Sequence, residues 1–354
     1  MSETVFILGA GASKGAGAPL MNEFFDTADE LRKKLPAQDA DFELVFHARD
    51  ALQSVYSKAT MDLLNFESVF AAFEMAKLLR RLGSLSTNEI EALPGAMTRL
   101  IQRTLEATIA FPVENDGQHP RILTPRPYDQ LGQLAVDLSR QPNGMRRIAF
   151  ITFNYDICLD FALFQRTLPV DYCLGPMVGH GVKLMKLHGS LNWSRCGVCG
   201  QVIALEVRDF LRDKFLFPLD HPQIHILIST GLERLTHCNA HLSSEPFMAP
   251  PTWNKTQYHT QLESVWRAAA QELSEAENIF ICGYSLPDTD QFFRYLYALG
   301  TVGRSGLKKF CLINPDEEVG RKFRGLCGPL ALSRFTFYSD TIENSLNSVR
   351  GFVL

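Results

Sequence analysis

The stretch Val5–Ser13 (VFILGAGAS), continued by Lys14–Pro19 (KGAGAP), decides how the rest of this chain is arranged. Its leading apolar residues predict a buried strand, and the glycines that follow allow the backbone to turn sharply into a helix. A turn of this kind presents backbone N–H groups, and the helix dipole adds positive potential there. A phosphate or pyrophosphate group would fit at that place.

The spacing of this loop departs from the dinucleotide fingerprint G-x-G-x-x-G, because Lys14 stands where the third glycine belongs. The pattern also lacks a second strand ending in Asp or Glu about 20 residues further on, which a hydride-transferring enzyme of that type needs. Two interpretations stay open for the loop alone, a nucleotide cradle and a plain tight turn. The rest of the chain has to decide between them.

Length and composition are those of an ordinary globular protein. The 354 residues, 46% of them apolar and 21% charged, suit one large α/β domain with insertions or two domains. The formal net charge of −4 argues against a large sequence-independent nucleic-acid footprint, so we expect no direct binding to nucleic acids. No apolar run is long enough to span a bilayer, and Met1–Thr4 lacks the positive segment of a secretory signal. We therefore expect a cytoplasmic protein without a membrane partner.

A long helical region separates the first strand from the next one. An amphipathic helix is expected over Leu20–Leu35, ended by Pro36, and the chain from Asp41 to Phe111 is expected to be helical throughout. It contains a buried stripe and a capping box, formed by Phe66, Val69, Phe70 and Phe73 and by Ser86 with Glu89. With a further helix from Tyr128 to Arg140, we interpret residues 40–145 as a helical insertion. A packing layer without chemistry is its favoured interpretation.

Apolar strands recur along the remainder of the chain, and small polar or glycine clusters follow them. The expected strands are Arg147–Thr152, Lys183–Leu187, Asn278–Cys282, Lys308–Ile313 and Arg334–Tyr338, with a helix starting at about Asp290. The clusters at strand ends are Gly9–Ser13, Asn154–Asp156, His188, Gly283–Ser285 and Asn314. Because open parallel sheets bind ligands at the carboxyl ends of their strands, we expect these clusters to line a single nucleotide site.

Three side chains in these clusters could do chemistry. The amide of Asn154 can hold a water molecule or a ribose hydroxyl, and the carboxylate of Asp156 can orient it or stabilise positive charge. Both residue types are also good helix N-caps, so a structural role is the alternative. A histidine such as His188 can take a proton from a sugar hydroxyl or from water, although a merely hydrogen-bonded histidine at a strand end is equally compatible.

Two short motifs have the spacing of metal ligands. Cys196-x-x-Cys199 is typical of a zinc-knuckle turn, and Cys238-x-x-His241 supplies a second pair. Together they predict a structural Cys3His zinc site, without an open position for catalysis, in a small subdomain over residues 191–250. His237 could compete with His241 for the fourth position. Without a metal, the cysteines would be free thiols.

Taken in this order, the motifs resemble those of the sirtuin superfamily and, within it, the bacterial SIR2-like proteins. Gly9–Ser13 with Gly17–Pro19 looks like the cofactor loop GAG-x-S…G-x-P of that family, and Leu187–Gly189 looks like its catalytic histidine motif. Further similarities are Thr152–Asp156 (TFNYD) to T-Q-N-x-D, with Phe153 in place of the usual glutamine, Gly283–Leu286 to G-T-S-L, and Ile313-Asn314 to I-N. The resemblance covers most of the chain outside residues 40–145.

The resemblance implies an α/β fold with a Rossmann-like parallel sheet and helices on both faces, a helical insertion and a small zinc-ribbon-like subdomain, in a single domain over residues 1–354. It implies NAD+ as the substrate and Zn2+ as a structural ion. Asn154 would position the attacking water and the nicotinamide ribose, His188 would be the general base, and Asp156 would orient the site. Contacts to the pyrophosphate and to the other ribose are implied for Gly9, Ala10, Gly11, Ser13, Pro19, Gly283, Ser285 and Asn314.

The segment after the metal motifs separates two activities. Protein deacylases of the superfamily carry a loop similar to F-G-E-x-x-P that docks an acyl-lysine peptide, whereas this chain has Phe247–Trp253 (FMAPPTW). Proline cannot donate ladder hydrogen bonds, so the peptide-docking edge is compromised. This segment and Gly283–Asp290 (GYSLPDTD) look like the SIR2-like NAD hydrolases of antiphage defence, which release nicotinamide and ADP-ribose. A lysine deacylase, an ADP-ribosyltransferase and a non-catalytic sensor of NAD or ADP-ribose stay open as alternatives.

An NAD hydrolase that is always active would kill its host, so the resemblance also implies control. Because the chain leaves no residues for a fused sensor domain, we expect a homo-oligomer or a separate activating subunit, such as an ATPase or an Argonaute-type protein. The helical insertion is the candidate for the assembly surface or for a lid over the site.

Overall fold

The computed structural model describes residues 2–34, 39–53, 60–115, 120–140, 147–175, 181–211, 222–232, 234–249, 256–287, 291–301 and 306–353. Pro36 and Asp290, the expected helix boundaries, lie outside the described residues, as does Pro250–Trp253 of the expected hydrolase motif. None of the described helices has the length and apolar character that crossing a membrane requires.

The strands of the described residues are short and mostly apolar. In chain order they are β1 (Ser2–Leu8), β2 (Phe111–Asn115), β3 (Pro120–Ile122), β4 (Arg147–Thr152), β5 (Val170–Asp171), β6 (Val182–Lys186), β7 (Trp193–Arg195), β8 (Val202–Ala204), β9 (Gln223–Ile224), β10 (Thr236–His237), β11 (Ala240–His241), β12 (Asn278–Cys282), β13 (Lys309–Ile313) and β14 (Phe335–Tyr338). The five strands predicted from Arg147 onwards agree with the structure to within one residue at either end, whereas β1 starts three residues before the predicted Val5.

The helices surround these strands. In chain order they are α1 (Phe24–Lys34), α2 (Ala40–Leu52), α3 (Phe66–Leu79), α4 (Thr87–Thr108), α5 (Tyr128–Ser139), α6 (Cys158–Gln165), α7 (Val207–Leu211), α8 (Ser229–Leu232), α9 (Thr256–Glu275), α10 (Gln291–Gly300), α11 (Glu317–Leu326), α12 (Pro329–Arg334) and α13 (Ile342–Val353). Two short 3-10 turns, Ala10–Ala12 and Lys14–Ala16, follow β1 in place of a regular helix.

A parallel seven-stranded sheet in the described residues organises the chain, in the order β14-β13-β12-β1-β4-β6-β5. Alternate side chains of β1 enter two separate cores. Phe6 and Leu8 pack with the helices of the insertion and α13, whereas Val5 and Ile7 pack with α9 and α10. Burial on both faces explains why the strands read as continuous apolar runs. The predicted α/β class, with a parallel sheet between helices, is confirmed.

The topology reverses at β1, which lies between β4 and β12. The chain runs from β1 to β4 and β6 on one side, and later through β12, β13 and β14 on the other. Open sheets of this kind form a crevice beyond the carboxyl ends of the strands at such a switch point. The loops after β1 and β12 therefore border the expected ligand crevice.

The region from Asp41 to Phe111, predicted to be helical throughout, instead contains three helices separated by loops in its described residues, and its last residue lies in a strand. Asn65 accepts hydrogen bonds from the N–H groups of Glu67 and Ser68, so a new helix starts there, and the predicted capping box of Ser86 and Glu89 starts another. Phe111 opens β2, which pairs antiparallel with β3 and β9. The region interpreted as a helical insertion thus also contains two strands.

Candidate active site

The carboxyl ends of β12, β1, β4 and β6 come together around one cleft. We call it the carboxyl-end cleft. Of the predicted site residues, those that line it are Ala10, Ser13, Pro19, Asn154, Asp156, His188 and Ser285. Most of the expected convergence of strand-end clusters is therefore confirmed.

The glycines after β1 and β12 bring the two loops into backbone contact. The N–H of Gly9 donates to the Cys282 carbonyl at 3.1 Å, and the N–H of Gly11 donates to the Gly283 carbonyl at 2.8 Å. A Cβ atom on Gly9 would lie 2.5 Å from the Tyr284 Cα. Close packing of the loops thus requires these glycines, and their contacts with a pyrophosphate stay a prediction.

Ser13 is the centre of a hydrogen-bonded group that joins β1, β4 and α5. Its hydroxyl donates to Oδ2 of Asp156 at 2.6 Å, and it lies 2.6 Å from the Tyr128 hydroxyl. The Asn154 Nδ2 donates to the Ser13 Oγ at 2.9 Å and to the Gly9 carbonyl at 2.9 Å. Because the single Ser13 proton goes to Asp156, Tyr128 is the donor in its bond with Ser13.

Tyr128 stays a neutral donor in this group. Burial, with a further contribution from the charge of Asp156, raises the pKa of Tyr128 well above its usual range. The other oxygen of Asp156, Oδ1, accepts from the N–H of Cys158 at 2.9 Å, at the start of α6. Asp156 therefore has both expected roles. Its Oδ1 bonds to the start of α6, and its Oδ2 bonds to Ser13 in the site.

His188 lies in the turn after β6 and is buried. Its ring centroid is 5.1 Å from that of Phe153, in an edge-to-face arrangement, and its carbonyl accepts from the N–H of Ala249 at 2.8 Å. Phe153 also stacks on Tyr284 with centroids 4.4 Å apart. These two rings give the cleft an aromatic wall next to His188.

The helical insertion forms the opposite wall of the cleft. Phe66 and Glu67 at the start of α3 and Ile101 and Leu105 of α4 all line it. Glu67 is itself buried, so a second carboxylate shares the cleft with Asp156. The insertion, interpreted as a packing layer, thus also forms part of the wall of the cleft.

Ser285 and Asn314 differ in their positions. Ser285 is exposed and lines the cleft. Asn314 follows β13, but its Oδ1 accepts from the N–H of Asp316 at 2.9 Å, and it is not among the described residues that line the cleft. Gly283 forms backbone contacts beneath the cleft, since its N–H donates to the Ile313 carbonyl at 3.0 Å. The ribose contact expected of Asn314 stays a prediction.

The predicted metal site is corrected at its fourth position. Ligand atoms of Cys196, Cys199, His237 and Cys238 all lie within 4.8 Å of one another, whereas His241 is outside this group. Cys238 and Asn239 both have left-handed φ angles, of 52° and 60°, and form the two-residue turn between β10 and β11. His241 pairs with Thr236, so it faces the side of the hairpin opposite to His237.

This Cys3His cluster fits a structural zinc ion. Thiolates and imidazole are the ligands that zinc prefers, and a group of four leaves no open position. The N–H of Cys199 is the largest of several contacts that lower the pKa of the Cys196 thiol to about 6, which favours the thiolate form. Zn2+ would be held by Cys196, Cys199, His237 and Cys238.

The cluster is joined to the His188 turn by backbone hydrogen bonds. Ser190 donates its N–H to the Phe247 carbonyl at 3.0 Å, and Phe247 donates to the Trp193 carbonyl at 2.6 Å. Met248 forms an antiparallel bridge with Gly189. Phe247–Ala249 therefore acts as a short strand between the turn that carries His188 and the hairpins that carry the cluster.

A buried ionic network lies behind the cleft and escaped sequence analysis. The Nζ of Lys186 is 3.0 Å from Oδ2 of Asp160, and both side chains are 1% exposed. Tyr128 and Glu67 also escaped it. In the sequence, Tyr128 is recognisable only as the residue after Pro127, and Glu67 only as a residue near a helix start. Neither feature indicates that the side chain reaches a site formed by distant segments.

Comparisons with known proteins find similar solved structures but do not show a family. Neither protein-family models nor curated proteins give a match. Among solved structures, a Sir2 homolog in complex with NAD is 15% identical, with 99% of this chain and 88% of that one covered and a TM-score of 0.41. A Sir2 homologue mutant in complex with ADP ribose is 15% identical over 99% and 91%, with a TM-score of 0.40.

A third solved structure, concerned with the mechanism and regulation of Sir2 enzymes, is 13% identical over 99% of this chain and 92% of that one, with a TM-score of 0.42. At these identities and TM-scores, the function has to be argued from the residues of the carboxyl-end cleft.

Proposed function

We propose that this protein is an NAD+ glycohydrolase, which cleaves the bond between nicotinamide and ribose with water as the acceptor and releases nicotinamide and ADP-ribose. One observation carries the proposal: Asn154, Asp156 and His188 share a single cleft at the switch point of a parallel sheet. The sequence motifs that contain these residues resemble those of the sirtuin superfamily, whose substrate is NAD+.

The lining of the cleft suits a dinucleotide with a charged middle and flat ends. No Lys or Arg is among the described lining residues, so neutral donors such as the Ala10 N–H and the Ser285 hydroxyl would hold the pyrophosphate. The apolar and aromatic walls offer surfaces to the rings.

The proposed reaction needs little acid catalysis, because nicotinamide leaves as a neutral pyridine. The C1′–N bond breaks with its electron pair going to the nicotinamide nitrogen, and positive charge develops on the ribose. The carboxylate of Asp156 stabilises that charge, and Asn154 orients the water. The water oxygen bonds to C1′ and its proton passes to His188, directly or through a ribose hydroxyl.

A protein deacylase is the main alternative, and the strand Phe247–Ala249 argues against it. The N–H and carbonyl of Phe247 and the N–H of Ala249 are already bonded within the chain, so only the Met248 edge is left for an acyl-lysine peptide. Pro250, the next residue in the sequence, has no N–H to donate. Water is therefore the favoured acceptor.

We further propose that the activity serves antiphage defence by depletion of NAD+, as the resemblance of the sequence motifs implies. An enzyme of this kind needs restraint, so a homo-oligomer or a separate activating subunit, such as an ATPase or an Argonaute-type protein, is part of the proposal. A monomer with full, unregulated activity would contradict this part.

The test is incubation of the pure protein with NAD+, with and without an acetylated peptide, and measurement of nicotinamide and ADP-ribose. We expect release that does not depend on the peptide, is abolished in H188A and N154A, and is unchanged in H47A, whose exposed histidine lies on α2. Release only with peptide would establish the deacylase instead. Binding of NAD+ without turnover, in the protein alone and as an oligomer, would favour the sensor or a missing activating subunit.

A further inference from the structure

We propose that Lys186 and Asp160 are positioning residues for the proposed reaction, because this buried ion pair fixes the position of the His188 turn relative to the Asp156 loop. The inference rests on the proposed function for its kinetic consequence, and on the structure alone for the contacts that carry it.

The first contact joins the two loops directly. Lys186, the last residue of β6, donates from Nζ to the backbone carbonyl of Asp156 at 2.5 Å and to Oδ2 of Asp160 at 3.0 Å. Asp156 follows β4, and Asp160 lies in the first turn of α6. One ammonium group therefore fixes the end of β6 to the segment that carries Asp156.

The second set of contacts joins Asp160 to the segment that follows His188. Oδ1 of Asp160 accepts from the Tyr172 hydroxyl at 2.5 Å, and the Tyr172 hydroxyl accepts from Nδ2 of Asn192 at 3.1 Å. Oδ1 of Asn192 accepts from the Ser190 hydroxyl at 2.6 Å. Lys186 and Ser190, two residues before and two residues after His188, thus belong to one network centred on Asp160.

The network is dry. Lys186, Asp160, Ser190 and Asn192 are each no more than 1% exposed. Burial of an ion pair is costly, and an apolar pair of the same volume often stabilises a fold as well, so stability alone does not account for the charges. The charged groups also orient the segments that they join, because each of their hydrogen bonds fixes an angle as well as a distance.

A comparable ion pair on the same strand provides a matched control. Lys183 of β6 pairs with Glu272 of α9 at 2.5 Å, with side chains 16% and 1% exposed. It lies three residues before Lys186 on β6, and neither partner lines the carboxyl-end cleft. Replacement of this pair removes the same charges from the same strand without touching the Asp160 network.

The experiment compares K186M, the double variant K186M/D160N and the control K183M/E272Q. K186M leaves Asp160 as an unpaired buried charge, so we expect a large loss of thermal stability. The double variant removes both charges, and we expect it to recover most of that stability. Its kcat for NAD+ cleavage should nevertheless stay about 100-fold below wild type with little change in KM, because a misplaced catalytic group slows the chemical step. The control double variant should keep the wild-type kcat.

Recovery of kcat together with stability in the double variant would overturn the positioning role. A second measurement does not depend on NAD+ cleavage: the imidazole NMR signal of His188, identified by its absence from H188A in protein labelled with 15N-histidine. It should shift or broaden in K186M/D160N and not in K183M/E272Q. An unchanged signal would overturn the inference even if the proposed function fails, whereas absent turnover in the wild type would count against the proposed function alone.

Discussion

Ser13 and Asp156 lie in the loops that follow two neighbouring parallel strands, and the Ser13 hydroxyl donates a 2.6 Å hydrogen bond to Oδ2 of Asp156. Oδ1 of Asp156 accepts from the N–H of Cys158, so both oxygens of the carboxylate have fixed partners. The Ser13 side chain is therefore committed to the orientation of Asp156. A role as a free hydroxyl for a phosphate, as the sequence motif suggests, would need that bond to be given up.

Replacement of this hydroxyl tests its role. In S13A, Asp156 loses a charge-assisted hydrogen bond, which is worth about 2 kcal/mol, and we expect kcat to fall by about tenfold or more. The matched control is S194A. Ser194 is equally buried, does not line the cleft, and donates to the Ser243 carbonyl at a distance of 2.7 Å. Both variants should lose stability in urea unfolding, and equal kcat values in the two would contradict the orienting role.

The pH dependence of stability should reveal the buried phenol of Tyr128. Burial raises its folded-state pKa well above the usual value of 10.0, so the unfolded chain loses this proton first as the pH rises. The stabilising contribution is fully present below about pH 10 and is lost above it. We expect the free energy of unfolding of Y128F to fall less steeply than that of the wild type between about pH 9 and 11.

Y172F should show the same shallower slope, because burial and the neighbouring Asp160 raise the pKa of Tyr172 well above its usual range. Denaturant unfolding at closely spaced pH values measures both slopes. Curves parallel to the wild type would show that these phenols ionise equally in the folded and unfolded chains.

Metal content distinguishes the two candidate histidines. In H237A the cluster loses its nitrogen ligand, so we expect zinc to be lost on dialysis and the melting temperature to fall. H241A should retain zinc, since His241 lies on the other side of the β10–β11 hairpin. Elemental analysis of the purified variants provides the measurement. Zinc loss in H241A with retention in H237A would restore the ligand set expected from spacing alone.

Replacement by alanine should have opposite effects at two glycines, one in the contact between the β1 and β12 loops and one in a helix. Gly283 has a φ of 63°, and a Cβ there would lie 2.4 Å from the Ala12 nitrogen. We expect G283A to be destabilised by about 2 kcal/mol or more. Gly325 lies in α11 with nothing within 4 Å of its Cβ position, so G325A should gain about 0.5–1 kcal/mol. Thermal melts of both variants would show whether the loops are packed this closely.

The sheet and the strand-end residues could be predicted because both depend on local patterns. Asn278–Cys282 reads as a buried strand in the sequence and is β12 in the structure. Residues that follow such strands must meet at one edge, which is why Asn154 and His188 were placed together correctly. Parallel strands buried on both faces give the strongest signal of this kind.

The rest depends on contacts between distant segments. Tyr128 is 115 residues from Ser13 in the chain, and no local pattern joins them. Glu67 reaches the cleft only because α3 packs across the ends of the sheet. At the metal cluster, the error came from the turn: the spacing Cys-x-x-His gave His241, but the left-handed residues Cys238 and Asn239 reverse the chain so early that His237 is the residue facing the cysteines.

The strand Phe247–Ala249 has a thermodynamic consequence. It is bonded to the His188 turn on one side and to the hairpin start at Trp193, so order in the metal cluster and order in the cleft depend on the same backbone groups. Coupling between two binding sites is reciprocal. If zinc in the cluster orders the His188 turn and so strengthens the binding of a ligand there, that ligand must raise the affinity of the cluster for zinc by the same factor.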